Sequence, residues 1–430
     1  MKMGGLHPFK SRGSSTAAPA DVSVDVPLNV RILDEINKGS VLSVIRLVDL
    51  LIESACAARA SDVHFDPRAE GVMVRLRIDG LLQDMHLLPA SIHAEVISRI
   101  KILSGLRIDE HQAAQDGRFQ ANLIEGRTVD VRVSIVPTHY GENAVLRLLS
   151  GQHGLFVLEN LGLTARNRER ILHALKKPFG MVLATGPTGS GKTTTLYTLL
   201  NLLNRSDTSI ITIEDPIEYS LAGVNQIPIN PRTGLTFANG LRSILRQDPN
   251  VIMVGEIRDE ETAGLAINTA LTGHTVLSTL HTNDAPTTLP RLLDMGVEPY
   301  LIASTVSVAI GQRLVRRICE ACKEECVVSD VEIASIPEDL RDELLHGKAK
   351  FYRGNGCVAC AGTGYHGRIG IHEVLEMNTQ VREGILRKAS ANEIRTIAIQ
   401  TGMTPLFADG MRKATRGITT IEEVLRTRHE

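Results

Sequence analysis

Hydrophobic positions along the 430-residue chain change their period twice, and each change marks a different kind of element. From Val41 to Arg59 apolar residues recur at helical spacing, which predicts an amphipathic helix. Strand-like pieces follow: Asp62 to Asp66, then Val72-Met73-Val74-Arg75-Leu76-Arg77-Ile78 before the turn Asp79-Gly80. Val129, Val131, Val133 and Ile135 alternate with Asp130, Arg132 and Ser134, and a strand around Phe119 to Ile124 meets them through Glu125-Gly126-Arg127. A period of two puts the apolar set on a core face and Arg132 on the opposite one. Helix and strands together predict a small α+β domain over residues 41–150.

Ser150-Gly151-Gln152-His153-Gly154 has no period and two glycines, which places a hinge there, within an interlobe linker of residues 151–165. Beyond it, alternation gives way to continuous apolar runs: Met181 to Thr185, Ile210 to Ile213 before Glu214-Asp215, Val251 to Val254 before Gly255-Glu256, and Val276 to Leu280 before His281. Such runs fit buried parallel strands. Ligands of open α/β sheets sit beyond the carboxyl ends of the strands. The polar residues that end these runs are therefore expected to converge on one site in a second domain, residues 166–430.

The turn after Met181 to Thr185 identifies the ligand class. Gly186-Pro187-Thr188-Gly189-Ser190-Gly191-Lys192-Thr193 satisfies every position of G-x-x-x-x-G-K-[ST], and a helix is expected from Thr194 to Leu203. Glycines let the loop amides turn inward around a polyphosphate, Lys192 reaches the β and γ phosphates, and the Thr193 hydroxyl ligates Mg²⁺ while the helix N-terminus adds its dipole. A chance glycine-rich turn would not bring strand, loop and helix in this order. The reading is a nucleotide triphosphatase whose nucleotide contacts residues 186–194, Thr194 included.

Phosphoryl transfer to water needs an oriented water, a metal and positive charge facing the γ-phosphate. Glu256 ends the strand of the second nucleotide motif, where Gly255 replaces the usual Asp, and is the first candidate for the metal-water shell. Glu214, Asp215 and Glu218 cluster around Pro216; one of them could polarise the water, the others capping the next segment. His281 lies at a carboxyl end, where a γ-phosphate sensor would sit, and a structural histidine is the other reading. His274 precedes the same strand and ranks lower.

Composition narrows the classes. Lys+Arg 47 against Asp+Glu 49 gives a net charge of −2, without the footprint of a dedicated nucleic-acid binder. Aromatic content of 3% with no Trp leaves little for stacking single strands, so a nucleic-acid motor using Arg313, Arg316 and Arg317 is the weaker alternative. A nucleotide-gated scaffold without turnover is a third. No apolar run approaches the roughly 18 residues of a membrane span, and the start lacks a secretory signal's apolar core, which predicts a soluble, cytosolic chain. Residues 1–40 are rich in Gly, Ser, Ala and Pro without a sustained period, and read as a disordered leader. An organelle transit peptide would share the early lack of acids but not the glycines and prolines.

Four of the six cysteines form Cys319-x-x-Cys322 and Cys357-x-x-Cys360. Four thiolates in paired CxxC elements suit a closed, structural Zn²⁺ site. The 34 intervening residues exceed the familiar spacing of about 15 to 20 and imply an inserted excursion, helical and charged, around Asp330 to Lys348, within a zinc subdomain of residues 319–370. Cys326 is a spare that could compete as a ligand. Disulfides are disfavoured in a reducing cytosol.

Taken together, these motifs resemble the secretion ATPases of type II secretion and type IV pilus assembly, the GspE/PilB-type family. The resemblance covers about residues 55–428. It rests on Gly186 to Thr193, Ile213-Glu214-Asp215-Pro216-Ile217-Glu218-Tyr219, Leu245-Arg246-Gln247-Asp248-Pro249 running into Val254-Gly255-Glu256-Ile257-Arg258-Asp259, and Leu271 to Asn283. It implies a RecA-like P-loop NTPase domain behind a smaller PAS-like α+β domain, with ATP, Mg²⁺ and Zn²⁺ as cofactors. It carries Glu214, Glu218, Glu256, Arg258, His274 and His281 over as site residues. Arg118, Arg132 and Arg147 look like the first-lobe arginines that family members set against the nucleotide, with Arg132 free to reach a γ-phosphate. A homo-hexameric ring is implied, cytoplasmic and peripheral at the inner membrane through platform and cytoplasmic-domain partner proteins, with no nucleic acid. The tetracysteine element and the ending Gly417 to Arg426 point to the secretion branch, driving a pseudopilus by ATP hydrolysis, with pilus assembly as the alternative. Family members usually carry a further amino-terminal domain that docks on a membrane-anchored partner, and only the short leader precedes the first lobe here.

Overall fold

The computed structural model describes residues 27–149, 156–338, 340–341 and 350–428. Leu28–Ile36 forms a helix, α1, where sequence reading expects no structure. Its period is masked because the buried side consists of Ile32 and a carboxylate, Glu35, while Val30 and Leu33 remain exposed. Glu35 accepts from Lys38 Nζ at 2.7 Å and from Ser43 N at 2.8 Å, just ahead of α2 (Val44–Ala57). The rest of the expected leader, residues 1–26, lies outside the described residues.

The first lobe packs α1, α2 and α3 (His93–Ser104) with a six-stranded sheet. Its strands are β1 (Asp62–Arg68), β2 (Gly71–Ile78), β3 (Leu81–Leu88), β4 (Gln115–Asn122), β5 (Thr128–Thr138) and β6 (Gly141–Leu149), in the order β3-β2-β1-β6-β5-β4, all antiparallel. The alternation read in β5 is realised: Val129, Val131, Val133 and Ile135 are at most 2% exposed and join Phe65 and Leu146 in one core. The opposite face, which carries Arg132, turns toward the second lobe.

The second lobe is a seven-stranded sheet in the order β15-β12-β7-β11-β10-β8-β9. The apolar runs become β7 (Gly180–Thr185), β8 (Ile210–Glu214), β10 (Val251–Val254) and β11 (Thr275–Leu280). With β9 (Asn225–Pro228) and β12 (Val306–Ile318) they are parallel, and β15 (Tyr365–Glu376) runs antiparallel to β12. Helices cover both faces, and a core lies on each, which is why these strands read as unbroken apolar runs. Of the expected linker, residues 150–155 lie outside the described residues. Leu158 and Leu161 are buried in this lobe's core against Tyr197 and Val182, so that part of the linker is second lobe. Asp79, in the β2–β3 turn, accepts from Gly367 N at 2.9 Å and bridges the lobes.

β12 and β15 are long because they carry the chain beyond the sheet to the cysteine element. Cys319 follows β12 directly, and β13 (Lys323–Cys326) pairs with β14 (Phe351–Gly354). The expected boundary at residue 370 falls inside β15, which belongs to the main sheet. The helical excursion is described as a short helix, Asp330–Ala334, and residues 342–349 lie outside the described residues.

Candidate active site

The phosphate loop joins β7 to α5 (Lys192–Leu203), and its glycines are needed there. Gly189 and Gly191 have φ of +79° and +88°, a region L side chains rarely adopt, and a Cβ on Gly186 would meet the Gln312 carbonyl at 2.4 Å. Lys192 Nζ donates to the Gly186 and Pro187 carbonyls at 2.7 and 3.0 Å, folding over the loop. Burial pulls its pKa below the usual lysine range, against the pull of Glu256. The Ser190 Oγ is buried with no hydrogen-bond partner. A buried orphan hydroxyl in a loop over which the half-buried Lys192 ammonium folds fits a polyphosphate, and exposed Thr193 at the start of α5 stands where its hydroxyl would hold Mg²⁺.

Two strands away, β10 delivers Glu256, whose carboxylate accepts from Arg258 Nη2 at 2.5 Å and pairs with His281 Nε2 at 2.9 Å. Burial pushes this carboxyl up, but hydrogen bonds from Arg258 and His281 outweigh it and hold Glu256 below the usual carboxylate range. The hydrogen bond to Glu256, and then its charge, raise the pKa of Arg258 in turn. Glu256, Arg258 and His281 are thus brought together as expected. His274 is not: it lies just ahead of β11, where its carbonyl accepts from Gly180 N at 3.1 Å, at the end of the sheet away from the loop, and its Nδ1 contacts the Thr269 carbonyl at 3.1 Å. Six residues of strand, about 20 Å, separate the two histidines' ends of the sheet.

Glu214 is also placed differently from the expectation of a water-polarising carboxylate. It is 3% exposed and accepts from Tyr197 Oη, from Thr212 Oγ1 at 2.6 Å and from Gln226 Nε2 at 3.0 Å. Three donors leave it little capacity for a water; it ties α5 to β8 and β9. Asp215 is exposed at the strand end. Glu218 faces the first lobe, where Arg132 Nη1 pairs with it at 3.2 Å while Arg132 Nη2 donates to the Ile217 carbonyl. The expected free guanidinium of Arg132 is therefore engaged, because the acidic segment 216–218 packs against the polar face of β5. Between the lobes lies a cleft of about 700 Å³, lined by Arg118, Arg132 and Arg147 on one side and Pro216, Ile217 and Pro228 on the other.

A protein-family profile described as Type II/IV secretion system protein matches residues 37–426. The chain belongs to that family. Type II secretion system protein E of Xanthomonas campestris pv. campestris is 50% identical over 383 residues, spanning 89% of this chain and 67% of that protein. The type IV pilus assembly ATPase PilB of Thermus thermophilus is 47% identical over 385 residues, 88% of this chain and 42% of its own length. Type II secretion system protein HxcR of Pseudomonas aeruginosa is 43% identical over 425 residues, 97% of this chain and 86% of that protein. The solved structure of the pilus retraction motor PilT with bound ADP aligns at a TM-score of 0.60 and 26% identity, covering 87% of this chain and 95% of that one. Legionella pneumophila DotB shares the fold at a TM-score of 0.63 and 23% identity, over 87% and 93% of the two chains. The two-lobed arrangement described above is thus that of a secretion ATPase.

In this secretion ATPase the four cysteines meet. Cys319, Cys322, Cys357 and Cys360 place their Sγ atoms within 4.8 Å of one another, with Cys319–Cys357 and Cys322–Cys360 at 3.8 Å and Cys357–Cys360 at 3.7 Å. Thiolates at about 2.3 Å from a tetrahedral Zn²⁺ stand about 3.8 Å apart, and these three separations match that spacing, so the set fits zinc. The backbone amides of Cys357 and Gly364 both donate to Cys360 Sγ at 3.2 Å, which favours a thiolate. Cys326, the expected competitor, pairs with Phe351 and packs against the small core of Ile336, Met411 and Val424 instead.

Sequence reading passed over Gln312. It is 2% exposed on β12, its Nε2 donating to Ser190 O at 2.8 Å and its Oε1 accepting from Thr195 Oγ1 at 2.8 Å. One amide thus grips both the loop and the helix that follows it. The signal was a glutamine inside an apolar run, which would otherwise be an unsatisfied buried amide. Thr185 was also missed: its hydroxyl, beside Leu280 O at 3.1 Å, bonds the segment after His281 through Thr282.

Proposed function

We propose that this secretion ATPase hydrolyses Mg²⁺-ATP at the phosphate loop and uses the resulting motion of its two lobes to drive pseudopilus assembly for type II protein secretion. The observation that carries the chemistry is the convergence at the carboxyl ends of β7, β10 and β11 of the phosphate loop, Glu256 and His281. Lys192 neutralises phosphate charge, and Glu256, kept ionised, orients the attacking water through the metal-water shell. Thr193 would hold Mg²⁺, which when bound would supply positive charge for the transferring phosphate. Arg118, Arg132 and Arg147 supply further positive charge across the cleft, to the nucleotide of this chain or of a neighbouring subunit. In this reading the second lobe is a RecA-like domain, the first is PAS-like, and the cysteine element is a structural zinc site.

The type II assignment is supported by the match to HxcR, which spans nearly all of both chains. Pilus assembly is the second reading, favoured by the 47% identity to PilB over 385 residues; it uses the same chemistry on a different filament. A homo-hexamer, bound peripherally at the inner membrane through platform proteins, completes the proposal. No helix among the described residues is long and apolar enough to cross a membrane, so attachment through partners is consistent with the chain. The reading is tested by Glu256→Gln: ATP binding persists while hydrolysis slows, and the trapped nucleotide state is scored for hexamers by native mass spectrometry. Loss of binding with unchanged turnover per bound ATP would contradict the role of Glu256, and a persistent monomer with bound ATP would contradict the ring.

A further inference from the structure

The sheet of the first lobe carries a charged row across five of its six strands. Arg118 on β4 stands opposite Arg132 on β5, Arg132 opposite Arg147 on β6, Arg147 opposite Asp62 on β1, and Asp62 opposite Arg77 on β2. Like charges directly opposite one another repel, and neighbouring strands are only about 4.8 Å apart. Three consecutive arginines therefore need either an anion or a fixed counter-charge.

Asp62 is the one carboxylate in the row, and it is 6% exposed. Its Oδ1 accepts from Arg147 Nε at 3.0 Å, and its Oδ2 accepts from Ser61 Oγ at 2.7 Å and lies 3.7 Å from Arg77 Nε. Among the described residues Arg147 makes no other hydrogen bond, and it remains exposed on the cleft that Asp62 also lines. A planar guanidinium pinned through Nε keeps its two terminal nitrogens for a second, bidentate partner. Pinning also removes the rotamer freedom that a long exposed side chain would otherwise lose on binding.

We propose that Asp62 is a positioning residue for the nucleotide: it holds Arg147, with Arg77 on its other side, so that the terminal nitrogens of Arg147 are presented to phosphate oxygens entering the cleft. This rests on the ATPase reading above and adds a residue to it that itself touches no substrate. The two arginines then flank a buried counter-charge, and the row stays assembled before a nucleotide arrives.

The test is a double-mutant cycle on the full chain, read as ATP turnover, ATP binding and melting temperature. Asp62→Asn keeps the shape and the acceptor but removes the charge. It is expected to lower kcat about fivefold, with ATP binding and melting temperature near wild type, and to cause no further loss in an Arg147→Ala background, since coupled residues are not additive. Additive losses would overturn the inference, as would wild-type turnover of Asp62→Asn beside a defective Arg147→Ala. A fall in melting temperature together with turnover would make Asp62 a structural residue and overturn it equally. Failure of the underlying ATPase reading is seen separately, as normal turnover of Lys192→Ala.

Discussion

Arg132 and Glu218 join the two lobes at 3.2 Å, and the second terminal nitrogen of the same guanidinium donates to the Ile217 carbonyl. An arginine proposed to serve a nucleotide is thus stored on the acidic segment of the other lobe. Its release would be coupled to lobe movement.

The first prediction follows from that storage. An arginine acting on transferring phosphate contributes roughly 10³ to 10⁵ in turnover, whereas a half-exposed ion pair such as Arg132–Glu218 contributes on the order of 1 kcal/mol to stability. Arg132→Ala is expected to retain ATP binding and melting temperature and to lower hydrolysis at least about tenfold, a cautious fraction of that range. If Arg132 serves a neighbouring subunit, mixing this variant with Lys192→Ala subunits restores some activity. Wild-type turnover of Arg132→Ala would return the residue to a purely structural bridge.

Gln312 makes a second prediction. Gln312→Ala leaves Ser190 O and Thr195 Oγ1 without their buried partners, at a cost of about 1–3 kcal/mol for each group left unsatisfied. Urea unfolding should shift accordingly, and ATP binding should weaken because the loop loses its anchor. Unchanged binding would show that the loop holds its shape through its glycines alone.

The contrast between Gln312 and Lys192 shows what the sequence could reveal. Lys192 lies in a motif whose spacing is itself the mechanism, so it was legible, as were the apolar strands and the four cysteines. Gln312 and Asp62 owe their roles to register and to partners distant in the chain: Gln312 meets Ser190 122 residues earlier, and Asp62 meets Arg147 85 residues later. His274 comes to the site only through the resemblance, and one strand length places it at the other end of the sheet. The helix Leu28–Ile36 escaped because a buried carboxylate, Glu35, broke its apolar stripe.

The cysteine cluster predicts about one Zn²⁺ per chain by elemental analysis, lost when Cys319 and Cys357 are both changed to Ser. Structural zinc contributes on the order of 10 kcal/mol to local folding, so the segment from Cys319 to about Gly364 should become protease-sensitive. The main sheet, whose cores lie elsewhere, should persist. Metal-free protein with unchanged protease resistance would remove the zinc site.

Acid stability is the fourth prediction. Arg258 and His281 hold the folded-state pKa of Glu256 below its ordinary value, which is about 4.3 in an unfolded chain. The resulting stabilisation is fully present above that unfolded value and is lost as pH falls through the lower folded value. Urea unfolding of Glu256→Gln followed down from pH 6 should therefore show a shallower acid loss than wild type. Parallel acid limbs would show that Glu256 gains nothing from its two partners.

The most direct measurement is steady-state phosphate release from ATP by the full chain and by Lys192→Ala, with folding checked by circular dichroism and melting. The ammonium lies over the phosphate loop, on the Gly186 and Pro187 carbonyls, and belongs to no hydrophobic core. The account predicts a folded Lys192→Ala protein with turnover at background beside an active wild type. A folded variant that hydrolyses ATP at the wild-type rate would contradict it.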